Sequence, residues 1–85
     1  MANAFFMEEQ LEIHIGNLIR QELRNQGRSV KWFANQIPCT RNHTYKIFSS
    51  PSLNTDMLLK ISVILDYNFF KHYETIFNQA KVYRK

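Results

Sequence analysis

Apolar residues recur along this chain mostly three and four positions apart, the period of a helix buried along one side. No turn joins two alternating apolar runs, so no β-hairpin competes. Five helices are predicted. The first spans about Glu9 to Gln26, with Leu11, Ile15, Leu18, Ile19 and Leu23 as its apolar stripe and Arg20 and Arg24 pointing elsewhere. Gly16 interrupts it, marking either a frayed early turn or a close approach by a neighbouring helix. Gly27 is placed to end it, because glycine takes the left-handed conformation after a last turn. The second helix is short, Val30 to Ile37, with Ser29 as N-cap and Val30, Phe33, Ala34 and Ile37 inward. Pro38 cannot continue it.

The third helix runs from Arg41 to about Phe48 behind Thr40 as N-cap. Thr44, Ile47 and Phe48 share one side of it, and Arg41, Asn42, Tyr45 and Lys46 the other. Ser49, Ser50, Pro51 and Ser52 break it. The fourth helix, Thr55 to Leu65, is capped by Asn54, and Leu53 and Leu58 are set to staple that cap. Leu58, Ile61, Ile64 and Leu65 form its buried stripe, which Leu59 widens. The fifth begins after Asn68 and carries Phe69, Phe70, Tyr73, Ile76 and Phe77. The ordered core is expected over about 9–78, followed by a loose basic tail over 79–85.

A chain of 85 residues predicts one domain, and a hydrophobic content of 45% predicts that it folds. Aromatics at 14% supply large side chains to a small core. The single cysteine, Cys39, cannot close an internal disulfide and fits a reducing compartment. Phe5, Phe6 and Met7 follow no basic residue and precede Glu8 and Glu9, so they do not make a secretory signal. No apolar run is long enough to span a bilayer. A soluble cytoplasmic protein, not attached to a membrane, is the expectation. The formal charge of +4 is unevenly placed. Arg20, Arg24, Arg28, Lys31, Arg41 and Lys46 crowd the middle of the chain, with Glu22 the only acid among them. A polyanion would be drawn there, although a solvated basic face has the same composition.

The informative unit is SVKWFANQIPCTRNHTYKIF, Ser29 to Phe48: a short helix, a tight turn and a second short helix. Two steeply crossing helices need a small residue where they touch, and Ala34 sits in the middle of the first. Phe33, Ile37 and Ile47 are placed to fill the angle. The second helix must then show Arg41, Asn42, Tyr45 and Lys46 outward. Arginine pairs bidentately with guanine and asparagine with adenine, while lysine and tyrosine reach phosphates or bases.

This unit resembles the helix-turn-helix of the lambda-repressor and Cro-like family, also called the Xre family. The resemblance extends from about Ile15 to Phe77, and DMLLKISVIL is similar to the family's fourth helix. It implies an all-α, five-helix lambda-repressor-like domain that regulates transcription by binding specific sites in double-stranded DNA. It also implies base contacts from Arg41, Asn42, Tyr45 and Lys46, and backbone contacts from Ser29, Lys31, Thr40, His43, Ser49 and Ser50. Three positions depart from the family pattern. Pro38 stands where glycine is usual and cannot take positive φ, so the turn differs. Thr44 replaces a buried aliphatic residue, and its hydroxyl needs a partner such as the Thr40 carbonyl. Val30 replaces a glutamine and cannot donate to phosphate, which leaves that role to Lys31 or to backbone amides.

Other chemistry finds little support. Cys39 and His43 have a metal-compatible spacing but are only two ligands, too few for a zinc site. Gly16 and Gly27 build no phosphate loop, and no general-acid or nucleophile arrangement is recognisable, so neither a cofactor nor enzymatic activity is expected. Trp32 lies off its helix's apolar stripe and is expected to pack on helix one or five rather than to serve as a partner's anchor. The alternative function is a protein-binding module on the same fold, an antitoxin or an adaptor. Pairing into a homodimer would use exposed parts of helices four and five with Tyr67 and Phe69, or else Phe5, Phe6 and Met7.

Overall fold

The computed structural model describes the backbone of residues 12–37 and 41–83, and the side chains of residues 12–37 and 42–81. The described residues form five α-helices and no strand: α1 Ile15–Asn25, α2 Val30–Gln36, α3 Arg41–Ser49, α4 Thr55–Leu65 and α5 Phe70–Tyr83. The chain is all-α, as the periodicity requires. The expected roles of Leu11, Pro38, Cys39 and Thr40 fall outside the described residues, as do those of Phe5, Phe6 and Met7.

Local chemistry explains most helix ends. Ser29 Oγ accepts from Trp32 N–H at 3.0 Å, and Asn54 Oδ1 accepts from Met57 N–H at 2.8 Å. Each thereby pairs a first-turn amide that the helix itself cannot satisfy. At the end of α1, Gly27 takes φ +69°. Its N–H donates to the Arg24 carbonyl at 3.0 Å and Arg28 N–H to the Leu23 carbonyl at 2.9 Å. This is the paired closure that a left-handed residue allows. Asp66 does the same for α4 at φ 50°, with Tyr67 N–H reaching the Ser62 carbonyl at 3.0 Å.

The first helix starts later than the pattern predicts. Residues 12–14 are not helical, and His14 caps α1 by accepting from Asn17 N–H at 3.2 Å. The reason is tertiary. Ile15 N–H donates to the Pro51 carbonyl at 3.0 Å and Gly16 N–H to the Ser50 carbonyl at 2.9 Å. The loop after α3 therefore takes amides that a longer helix would have used internally. At the other end of the chain, residues expected to form a loose tail are helical as far as Tyr83. Gln79, Ala80 and Lys81 are good helix formers with no breaker among them.

Ile15, Ile19 and Leu23 of α1 meet Phe33 of α2, Ile47 and Phe48 of α3, Leu58, Ile61 and Leu65 of α4, and Phe69 in one core. α3 packs against both α1 and α2. Phe33 and Phe48 stack with centroids 5.9 Å apart and join α2 to α3. Gln26 Nε2 donates to the Leu65 carbonyl at 2.7 Å and ties the end of α1 to the end of α4. The expected stripe of α4 narrows: Ile64 is only half-buried, and Leu59 is 54% exposed rather than part of the core. Ser62 is buried, and its hydroxyl has no hydrogen-bond partner among the described residues. Phe69 precedes α5 and is fully buried, so it cannot join a dimer surface as expected. Trp32 is half-buried against the core beneath the Arg28 guanidinium, 4.3 Å from its ring.

Candidate nucleic-acid interface

The outward face of α3 follows from its inward one. Thr44, Ile47 and Phe48 are buried, so residues about half a turn away must face water. Asn42, Tyr45, Lys46 and Ser49 do so and form one stripe along the helix. Arg41 belongs to the first turn of α3. The Tyr45 ring, 44% exposed, meets the Phe48 ring edge-on at 5.9 Å, which holds the phenol against the helix it projects from. His43 is exposed beside this stripe.

The serines expected near a backbone differ in what they can still do. Ser29 is exposed, and its oxygen accepts the capping bond, so its hydroxyl proton remains available to an anion. Ser49 and Ser50 both donate their hydroxyl protons to the Lys46 carbonyl, at 3.1 and 2.7 Å. Ser50 N–H is also used, by the Ile47 carbonyl at 3.1 Å. These two residues close the end of α3. Lys31 is exposed at the start of α2, where the helix dipole adds partial positive charge.

The sequence puts Arg20 off the α1 stripe and among the mid-chain basic residues, but names no neighbour for it. Its guanidinium in fact lies over the Phe48 ring, 5.5 Å from the centroid. That contact joins α1 to the edge of α3 through Phe48. It rests on a pairing between distant parts of the chain that no local pattern signals. Away from this surface, Tyr67 and His72 share a 2.9 Å hydrogen bond. Burial, and then the charge of Lys71, hold the His72 imidazole below its ordinary pKa.

Among the described residues, no group of three or more histidine, cysteine, aspartate or glutamate side chains could hold a metal. No helix among them is long and apolar enough to cross a membrane. Compared with protein-family models, curated proteins and solved structures, the chain gives no match to any of them.

Proposed function

We propose that this chain is a sequence-specific, double-stranded-DNA-binding transcriptional regulator, with α2 and α3 as a helix-turn-helix in a lambda-repressor-like arrangement. The observation that carries the proposal is the two-sidedness of α3. Thr44, Ile47 and Phe48 anchor one side, while Asn42, Tyr45 and Lys46 stand in water on the other. That outward set is rich in groups that pair with base edges and phosphates. In this reading, Arg41, Asn42, Tyr45 and Lys46 meet bases in the major groove. Ser29 and Lys31 hold the backbone from the start of α2, and His43 does so from α3. Ser49 and Ser50 contribute by fixing the end of α3, since their protons are already bonded to Lys46.

Selection from random duplex DNA should therefore enrich a short motif. Binding should weaken with salt at a slope near −4 to −5 in log K against log salt, if about four to six phosphates are neutralised. On the selected site, Asn42→Ala and Arg41→Ala should each cost about 1–3 kcal/mol and relax preference at one base pair. Lys31→Ala should weaken all sequences alike and flatten the slope by about one unit. No enrichment, or binding indifferent to salt, would reject the proposal. A uniform loss on Arg41→Ala and Asn42→Ala, with every base preference kept, would make them phosphate contacts instead.

A second feature favours protein contact, and the partner it fits is a second copy of the chain. Leu59 and Val63 of α4 are 54% and 72% exposed, beside a groove of about 530 Å³ walled by Ile37, Met57 and Ile64. Lys60 and Asp66 flank Val63 and are exposed. In an antiparallel pairing of two α4 helices about Val63, Lys60 stands opposite Asp66 of the partner subunit at both ends. The face is thus self-complementary in charge, as a twofold contact requires. Such a dimer could address two half-sites about 34 Å apart. Light scattering across a concentration series should show a dimer that Val63→Glu dissociates. The double exchange Lys60→Asp with Asp66→Lys should preserve it. A wild-type monomer at every concentration would remove this pairing and leave DNA binding by single domains.

A further inference from the structure

The basic residues of α1 have no part in the reading of α3, yet they form a surface of their own. Asn17, Arg20, Gln21, Arg24 and Asn25 wall a shallow, predominantly polar groove of about 650 Å³ on the outer side of α1. All five side chains are exposed, and their positions are spaced by three and four, so they share one helix face. No acid lines this groove. Glu22, the acid of α1, accepts from Gln26 Nε2 at 2.8 Å. Two guanidinium groups flanked by three carboxamides make a row of hydrogen-bond donors with net positive charge. This chemistry suits an extended phosphodiester rather than a single compact anion.

One end of the groove, at Arg20, reaches the edge of α3. The Arg20 guanidinium lies 5.5 Å from the Phe48 ring centroid, and that centroid lies 5.9 Å from the Tyr45 ring. Arg20 is thus within one major-groove width, about 12 Å, of the Tyr45 ring. The cation–π contact with Phe48 draws the guanidinium toward α3 while leaving its N–H groups able to donate. Arg24 lies one turn further along the same face of α1.

We propose that this α1 groove is a second backbone-binding track, which holds the phosphodiester strand flanking the base pairs read by α3. The proposal rests on the DNA-binding reading and extends it: the footprint is longer than the recognition helix alone would cover. Arg20 and Arg24 each neutralise a phosphate, and Asn17 and Gln21 donate to phosphate oxygens between them.

The test compares the wild-type chain with Arg20→Gln/Arg24→Gln and with Gln21→Glu, on duplexes of two lengths that share one selected core. Gln21 is exposed, so its exchange puts an anion in the groove without opening the core. On the longer duplex the double variant should bind about tenfold more weakly at low salt. Its salt slope should flatten by about two units, one for each phosphate no longer neutralised. Base preferences should be retained. Gln21→Glu should also weaken binding to the longer duplex. On the core-only duplex, all three proteins should bind alike. Equal affinities and slopes on both lengths would overturn the groove proposal while leaving recognition by α3 intact. A wild-type chain that binds neither duplex would overturn both. A double variant that binds the core-only duplex as weakly as the longer one, with a lowered melting temperature, would make Arg20 a packing residue and likewise overturn the groove.

Discussion

Gly16→Ala is expected to cost more than about 3 kcal/mol of stability, at or beyond the upper end of overpacking penalties. A Cβ at this position would stand 2.5 Å from the Ile47 carbonyl oxygen and 2.6 Å from the Phe48 carbonyl carbon, with the Phe48 oxygen nearer still. These are backbone atoms at the end of α3, and they have no rotamer by which to yield. Alanine is the better helix former by about 1 kcal/mol, but that gain is smaller than the clash. To admit the methyl group, α1 must back away from α3. The bonds from Ile15 and Gly16 N–H to the Pro51 and Ser50 carbonyls would then break. For a domain of this size, about 4–8 °C of melting temperature accompanies each kcal/mol, so the midpoint should fall by more than about 12 °C. A Gly16→Ala variant as stable as wild type would show that the two helices do not approach this closely.

Phe33→Ala is expected to cost about 3–5 kcal/mol, the range for emptying a fully buried aromatic site. Phe33 is 0% exposed and is the only fully buried residue of α2. A domain is stable by only about 5–15 kcal/mol, so this one truncation consumes a large share. The loss also reaches the proposed DNA surface. Phe33 stacks on Phe48, and Phe48 in turn carries the edge of Tyr45 and the Arg20 guanidinium. Phe33→Leu, which refills most of the volume, should be much milder, below about 1.5 kcal/mol. Denaturant melts of the two variants separate these outcomes. A Phe33→Ala protein that melts with wild type would mean the inward face of α2 is wrongly assigned.

The features legible in the sequence are local ones. The α2 and α4 caps at Ser29 and Asn54 were legible because a short polar side chain reaches an amide three residues on, wherever the rest of the chain lies. The two faces of α3 were legible because Thr44, Ile47 and Phe48 repeat at helical spacing and leave Asn42, Tyr45 and Lys46 opposite. Gly27 announced the end of α1 through a conformation that needs no neighbour. Packing between helices settled the rest. Between the two local meanings of Gly16, it chose close approach, because the α3 backbone lies there. It moved the start of α1 to Ile15, because carbonyls from Ser50 and Pro51 arrive to take the first amides. It left Leu59 outside the core, although its residue type fits a widened stripe, because no described element covers that side of α4. It also laid Arg20 on Phe48, across a separation that periodicity cannot sense. A repeat of three and four residues records which way a side chain points from its own helix. What stands opposite that side chain depends on how the helices are packed.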